Sequence, residues 1–177
     1  MIRCVVTGQR ADGKSVFVSD GVRESLRLAV MPPGWEFLRL WGADEPPRLP
    51  NDGTAPPQPE VHPPPGGYRF VFSTLPAASA QPPVPEDADE ALAEWEAALP
   101  KMKDLIEPDH PGFHTTDTVD LNIVMSGEVW LELDDGEEVH LHTGDVVIQN
   151  GTRHAWHNRT EEPCRLFSAI IGATRDK

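Results

Sequence analysis

Residues 112–158, GFHTTDTVDLNIVMSGEVWLELDDGEEVHLHTGDVVIQNGTRHAWHN, decide the fold. Within this stretch and just beyond it, apolar-rich runs at 119–125, 128–133, 138–142, 146–149, 154–159 and 165–171 are parted by Ser126-Gly127, Asp134-Asp135-Gly136, Thr143-Gly144-Asp145 and Asn150-Gly151-Thr152. Glycine and asparagine at such joints adopt the positive-φ backbone of tight turns. A turn roughly every 8–12 residues predicts an all-β sandwich or barrel and excludes a parallel α/β sheet.

Alternate residues of a strand share a face, so parity sorts the polar side chains. Counted from His114, one face carries His114, Thr116, Thr118, Asp120, Asn122 and Val124, and the other carries Val119, Leu121, Ile123 and Met125. The polar face is expected to line a ligand cavity. The apolar row is expected to be covered by the amino-terminal strands, a helix or a partner subunit. His154, Trp156 and Asn158 share a face, whereas His157 points the opposite way with Ala155. His140 and His142 alternate with Val139 and Leu141 and share their face with Glu138, which predicts a solvated row.

Working outward, residues 2–7 and 15–19 flank the turn-forming GQRADGK and predict a β-hairpin, with further strands expected at 26–31 and 37–41 around Pro32-Pro33-Gly34. Fifteen of the 19 prolines fall between Pro32 and Pro85. Proline cannot donate to a sheet ladder, so this region is expected to be mostly loop interrupted by one strand at 68–74, an ordered surface wrap in the first instance, with a functional lid or a disordered segment as the alternatives. Residues 86–99 predict the helix: acidic residues crowd its first turn, Leu92, Trp95 and Leu99 recur at helical spacing, and Pro100 stops it.

A chain of 177 residues supports one core, so 1–177 is expected to be a single domain: strands and Pro-rich loop at 1–75, a helical insertion at 86–107, and the barrel at 112–173. With 29 acidic against 15 basic residues, most of the surface repels phosphate backbones and anionic lipid, so neither nucleic acid nor a membrane is an expected partner. The first residues, MIRCVVTGQRADGK, lack the apolar core of a signal peptide, and a cytoplasmic location is expected. Cys4 and Cys164, without CxxC spacing, are expected to be reduced packing residues.

His114, Asp120 and His154 would give two imidazoles and one carboxylate on neighbouring strands. That set suits a divalent transition metal (Fe, Mn, Zn or Ni) with coordination positions left open. The same residues also fit a hydrogen-bonded polar cluster without metal, in which Asp120 pairs with His154.

These residues resemble the cupin family, small jelly-roll barrels whose two motifs supply metal ligands to the interior. His114, Asp120 and Gly127 fall at positions of the first motif, with Thr116 where the family has a second histidine, Asp120 where it has glutamate, and Pro108 where it has glycine. Gly144, Gly151, His154 and Asn158 match the second motif, in which Gln149 replaces proline. The resemblance implies a double-stranded β-helix, here with a Pro-rich amino-terminal half and one inserted helix, and a metal held by His114, Asp120 and His154. The whole chain resembles a mostly uncharacterised branch of small single-domain bacterial and fungal cupins.

The function so implied is a small-molecule metalloenzyme acting on an oxygenated organic substrate as a lyase, isomerase, decarboxylase or dioxygenase. Thr116, Asn122, Gln149 and Trp156 are expected to line its pocket, and no residue is assigned a catalytic role. A metal-free ligand-binding or sensor protein is the alternative, and an Asp120–His154 acid/base dyad is a third. The apolar row Leu121-Ile123-Met125 and the strand-rich amino terminus point to a homodimer.

Overall fold

Among residues 1–58 and 60–176, which a computed structural model describes, the strands follow the turn chemistry closely. They are β1 (Ile2–Gln9), β2 (Ser15–Arg23), β3 (Glu36–Ala43), β4 (Tyr68–Leu75), β5 (Thr118–Ser126), β6 (Glu128–Glu132), β7 (Glu138–His142), β8 (Val146–Asn150), β9 (Ala155–His157) and β10 (Cys164–Gly172), with helices α1 (Ala88–Ala98) and α2 (Met102–Leu105) between β4 and β5. One antiparallel sheet has the order β3-β4-β10-β5-β8, and the sheet facing it has the order β7-β6-β9. Val124, Val129, Leu131, Leu141, Cys164 and Leu166 fill the space between them. Burial pushes the Cys164 thiol up to about 11, and both cysteines are free, as packing residues should be. No described helix is long and apolar enough to cross a membrane.

The strand expected at 26–31 does not form. Leu26 makes one bridge to Phe37, and the chain then turns, with the Met31 N–H donating to the Leu28 carbonyl. Its apolar residues serve another surface: Leu26, Leu28, Val30 and Met31 pack with Val61, Leu99, Trp95 and Met102 into a second core beneath α1. Asp87 caps that helix by accepting from the N–H groups of Asp89 and Glu90, satisfying donors that have no intrahelical partner.

Two arginines fasten the Pro-rich wrap to this frame. Arg39 donates to the Gln58 carbonyl (3.3 Å) and to the Ala98 carbonyl at the end of α1 (3.1 Å). Arg69 is fully buried and donates to the carbonyls of Glu60 (3.1 Å), Ala43 (2.8 Å) and Tyr68 (2.9 Å) as well as to the Asp44 carboxylate. Farther along, Gly66 donates to Gly172 (3.0 Å) and Gly172 donates to Gly67 (2.9 Å). The contact is so close that a Cβ on Gly172 would lie 1.9 Å from the Pro64 carbonyl oxygen, which only glycine permits. The wrap between Glu60 and Gly67 is therefore tied at both ends.

Strand β5 has its polar face inward. Thr118, Asp120, Asn122 and Val124 are buried, while Leu121 keeps 36 % of its surface exposed. Beside it on β8, Ile148 keeps 56 %. Register joins these into one apolar outer surface: Phe70, Ala169, Leu121 and Ile148 lie in one cross-strand row, and Phe72, Phe167, Ile123 and Val146 in the next. The β1–β2 hairpin stands apart as its own sheet, with Phe17 79 % exposed, and it touches the wrap through the Gln9 N–H to the Asn51 carbonyl.

Candidate ligand and metal site

The inward polar face of β5 opens into a cavity of about 310 Å³ between the two cores. Its walls are largely apolar, with Trp35, Val71, Leu166 and Ile170 among them. Against this background His62, His114, Asp120, Asn122, His154 and Trp156 converge. A small apolar cavity with a few aimed polar groups is the usual form of a small-molecule site.

His114 and His154 meet across a pair of backbone hydrogen bonds, the N–H of each donating to the carbonyl of the other, so their rings lie with centroids 4.3 Å apart. Each ring spends its Nδ1 hydrogen on a carbonyl two residues away: His114 donates to Gly112 (3.0 Å) and His154 to Thr152 (2.9 Å). A carbonyl can only accept, so in the neutral ring Nδ1 carries the hydrogen and Nε2 presents a lone pair. Fixing the tautomer in this way is what a metal-ligating histidine requires.

Asp120 is buried, and its Oδ1 has no hydrogen-bond partner among the described residues. Burial raises its carboxyl to about 6, with a contact from the Thr118 hydroxyl opposing the rise. No hydrogen bond joins Asp120 to His154 among the described residues. Asn122 accepts from the Ser168 hydroxyl (2.6 Å), which leaves its amide N–H groups to meet a ligand.

Two residues expected at the pocket lie elsewhere. Thr116 is buried against Thr118, hydroxyl to hydroxyl at 2.8 Å, and lines a neighbouring cleft instead of the cavity. Gln149 is also buried, but its amide turns back to the Thr152 hydroxyl and is absent from the cavity wall. Asn122 and Trp156 do line the cavity.

His62 is the residue that the sequence did not single out. It lies in the Pro-rich wrap, where strand parity has no force, and it lines both the cavity and the Thr116–Thr118 cleft. Val61 beside it is buried in the second core, and Lys101 pairs with Glu60 at 2.5 Å. The only local signal was a histidine between an apolar residue and three prolines. A third imidazole, supplied by the wrap, thus lines the cavity that Thr116 does not reach.

Burial of these imidazoles makes stability depend on pH. His62 and His154 are both lowered from 6.5 to about 4, chiefly by burial and then by the charge of His114, with His154 and Arg69 adding to the effect on His62. Between those values the unfolded chain binds two protons that the folded chain refuses, so stability falls as pH falls. Asp120 works in the opposite direction, since between about 6 and 3.8 the folded chain holds a proton that the unfolded chain has released. The balance is one proton in favour of unfolding, or at most about 1.4 kcal/mol lost per pH unit across this window. Urea midpoints measured from pH 6.5 to 4.5 are expected to fall in the wild type and to fall less in His154→Gln. Equal slopes in the two proteins would refute this account.

Residues 105–170, which hold β5 to β9 and most of β10, match the family model of the cupin domain, and the paired sheets form a double-stranded β-helix. Oryzines biosynthesis cluster protein J of Aspergillus oryzae is 45 % identical over 67 residues, covering 34 % of this chain and 37 % of that protein. The cupin-domain-containing oxidoreductase virC of Hypocrea virens is 43 % identical over 47 residues, covering 27 % of this chain and 24 % of that one. The match thus spans well under half the length of these curated relatives. Among solved structures, the cupin domain of Schizosaccharomyces pombe Cnp3 covers 97 % of this chain and 88 % of its own, with a TM-score of 0.48 and 9 % identity.

Proposed function

We propose that the chain is a metal-dependent enzyme of the cupin type acting on a small, partly apolar, oxygenated organic molecule. The observation that carries this is the pair His114 and His154, tautomers fixed with Nε2 free, in the same cavity as the buried, unpartnered Oδ1 of Asp120. A divalent ion would satisfy that oxygen and offset the cost of burying the carboxylate. His114, His154 and Asp120 would hold it, with His62 the further imidazole within the same cavity. Such an ion, whether Fe, Mn, Zn or Ni, supplies Lewis-acid or redox chemistry according to its identity.

The protein's own part is binding and orientation. Trp156 and the apolar walls exclude water and hold the carbon skeleton of the substrate. The free Asn122 amide N–H groups donate to a substrate oxygen. Names of the relatives, drawn from biosynthesis clusters and in one case from an oxidoreductase, agree with small-molecule chemistry.

A metal-free ligand-binding or sensor role is the second reading, and one observation favours it. The ligand atoms of His114, Asp120 and His154 are not among the described triples lying within 4.8 Å of one another. Metal analysis of protein purified without added metal separates the two. Bound metal that is lost on His154→Ala supports the enzyme; metal content and uptake of Fe, Mn, Ni or Zn that His154→Ala leaves unchanged support the binder.

We also infer a homodimer built on the apolar outer face of the five-stranded sheet, with the exposed β1–β2 hairpin reaching onto the second copy. Light scattering is expected to return twice the chain mass for the wild type and a single mass for Leu121→Glu/Ile148→Lys. A monomeric wild type at micromolar concentration would end this inference.

A further inference from the structure

The outer face of the three-stranded sheet carries a second constellation, unconnected with the cavity. Register sets Glu128 opposite His142 and Trp130 opposite His140, so strand alternation brings all four side chains to one face. The His140 Nε2 lies 2.8 Å from the Glu128 Oε2, and the His142 Nε2 lies 4.0 Å from the same oxygen. The two imidazole centroids are 4.1 Å apart. On the far side of His142, the Asp145 Oδ2 stands 3.8 Å from Nδ1 while accepting the His142 backbone N–H. The expected solvated row is therefore exposed, as its alternation required, but its ligand atoms also converge.

Three features set this cluster apart from an ordinary polar surface. Trp130 stacks on His140 at 3.8 Å with planes 8° apart, which fixes one imidazole before any ligand arrives. The ion partners of Glu128 among the described residues are the two histidines, with no lysine or arginine to neutralise it. The neighbouring triple Glu132, Glu138 and His157 provides the contrast, because Arg159 already holds both oxygens of Glu138. An arginine already paired with the Glu138 carboxylate leaves no role for a cation there, whereas two imidazoles beside a carboxylate that no lysine or arginine holds invite one. The net charge of −14 draws cations to the surface as a whole.

We propose that Glu128, His140 and His142 form an exposed binding site for a borderline divalent cation of the Zn2+, Ni2+ or Cu2+ class. Imidazole suits these ions, and a His-x-His pair with a cross-strand carboxylate gives three ligands on one face with the solvent side open. Metal–ligand bonds of about 2.1 Å place neighbouring ligand atoms about 3–3.4 Å apart. The 2.8 and 4.0 Å separations reach that range by side-chain shifts below an ångström. On binding, the His140 hydrogen is exchanged through solvent from Nε2 to Nδ1, which frees the Nε2 lone pair for the ion and ends the hydrogen bond to Glu128. The ion then clips β7, the edge strand of its sheet, to β6.

The test uses the full chain, stripped with EDTA, as wild type, as His140→Gln/His142→Gln and as His154→Ala. Zn2+ titrated by calorimetry is expected to lose one equivalent in the His140/His142 variant, and a separate equivalent in His154→Ala if the cavity binds metal. The two sites thus succeed or fail independently. Cu2+ is expected to quench part of the tryptophan fluorescence of the wild type, through Trp130, and to lose that part in the His140/His142 variant. Glu128→Gln, which keeps the shape and removes the charge, is expected to weaken Zn2+ by more than the roughly 10–100-fold of a lost outer-shell partner. Circular dichroism establishes that the exposed substitutions leave the fold intact. Unchanged Zn2+ stoichiometry and unchanged Cu2+ quenching in the folded His140/His142 variant would overturn the proposal.

Discussion

Replacing Arg69 with alanine is expected to destabilise the fold by about 3–5 kcal/mol. The guanidinium is fully buried, and its donors serve three carbonyls and one carboxylate. Alanine leaves the carbonyls of Ala43, Glu60 and Tyr68 without that partner, at about 1–3 kcal/mol for each one that water fails to reach. The Asp44 carboxylate is 41 % exposed, so its share is small and screened. Arg69→Lys keeps the charge but replaces a planar fork with a point donor, and it is expected to recover less than half of the loss. Urea unfolding gives the number directly. The functional readout follows from where the residue sits: Glu60 and Val61 lead into His62, so Arg69→Ala is also expected to weaken whatever ligand or metal the cavity holds. A cost below about 1 kcal/mol would mean that the wrap rests on its prolines and not on this side chain.

The contrast between Asp120 and His62 shows what a sequence can and cannot carry. Asp120 was legible because strand periodicity is rigid: once β5 is a strand, Asp120 and Asn122 must lie on one side and Leu121 on the other, whereas His114 precedes β5 and is placed by its bridge to His154. That the polar side would be the inner one followed from the histidine and carboxylate it carries, and the buried Thr118, Asp120 and Asn122 bear this out. His62 was hidden because no period links a loop residue to a barrel. Its place depends on Arg69, on the closeness of Gly172 to Pro64, and on the Lys101–Glu60 pair, all of them contacts distant in sequence. The same limit explains residues 26–31, whose apolar content fits a strand and a helix-covered turn equally well. Parity also discarded His140 and His142 as inward ligands, correctly, yet it is silent on what an outward pair makes with the strand opposite.

Asp120→Asn is expected to raise stability and to lower metal affinity at the same time. The carboxylate is buried with an unpartnered oxygen, and burial has raised it to about 6, so above that pH the fold carries an ionised group that its surroundings resist. Asparagine has nearly the same shape without the charge. The sign is settled by comparing states: the folded pKa is raised above 3.8, so charge on Asp120 costs stability in full above about 6 and nothing below 3.8. At pH 7.5 the gain is expected to be about 1–3 kcal/mol, and by pH 4 most of it is expected to be gone. A buried, unpartnered carboxylate adds nothing to packing, whereas a bound cation would offset its cost whenever the ion is present. The metal affinity of the cavity should move the other way, falling at least tenfold in Asp120→Asn and in His154→Ala relative to wild type. His62→Ala then decides the standing of the third imidazole. An equal fall makes His62 a ligand in its own right, and an unchanged metal content with altered ligand affinity makes it a wall of the pocket. If Asp120→Asn proved less stable than wild type at pH 7.5 and still carried full metal, the carboxylate would have to be a structural hydrogen-bonding group, and the cavity would be better described as a binding pocket than as a metal centre.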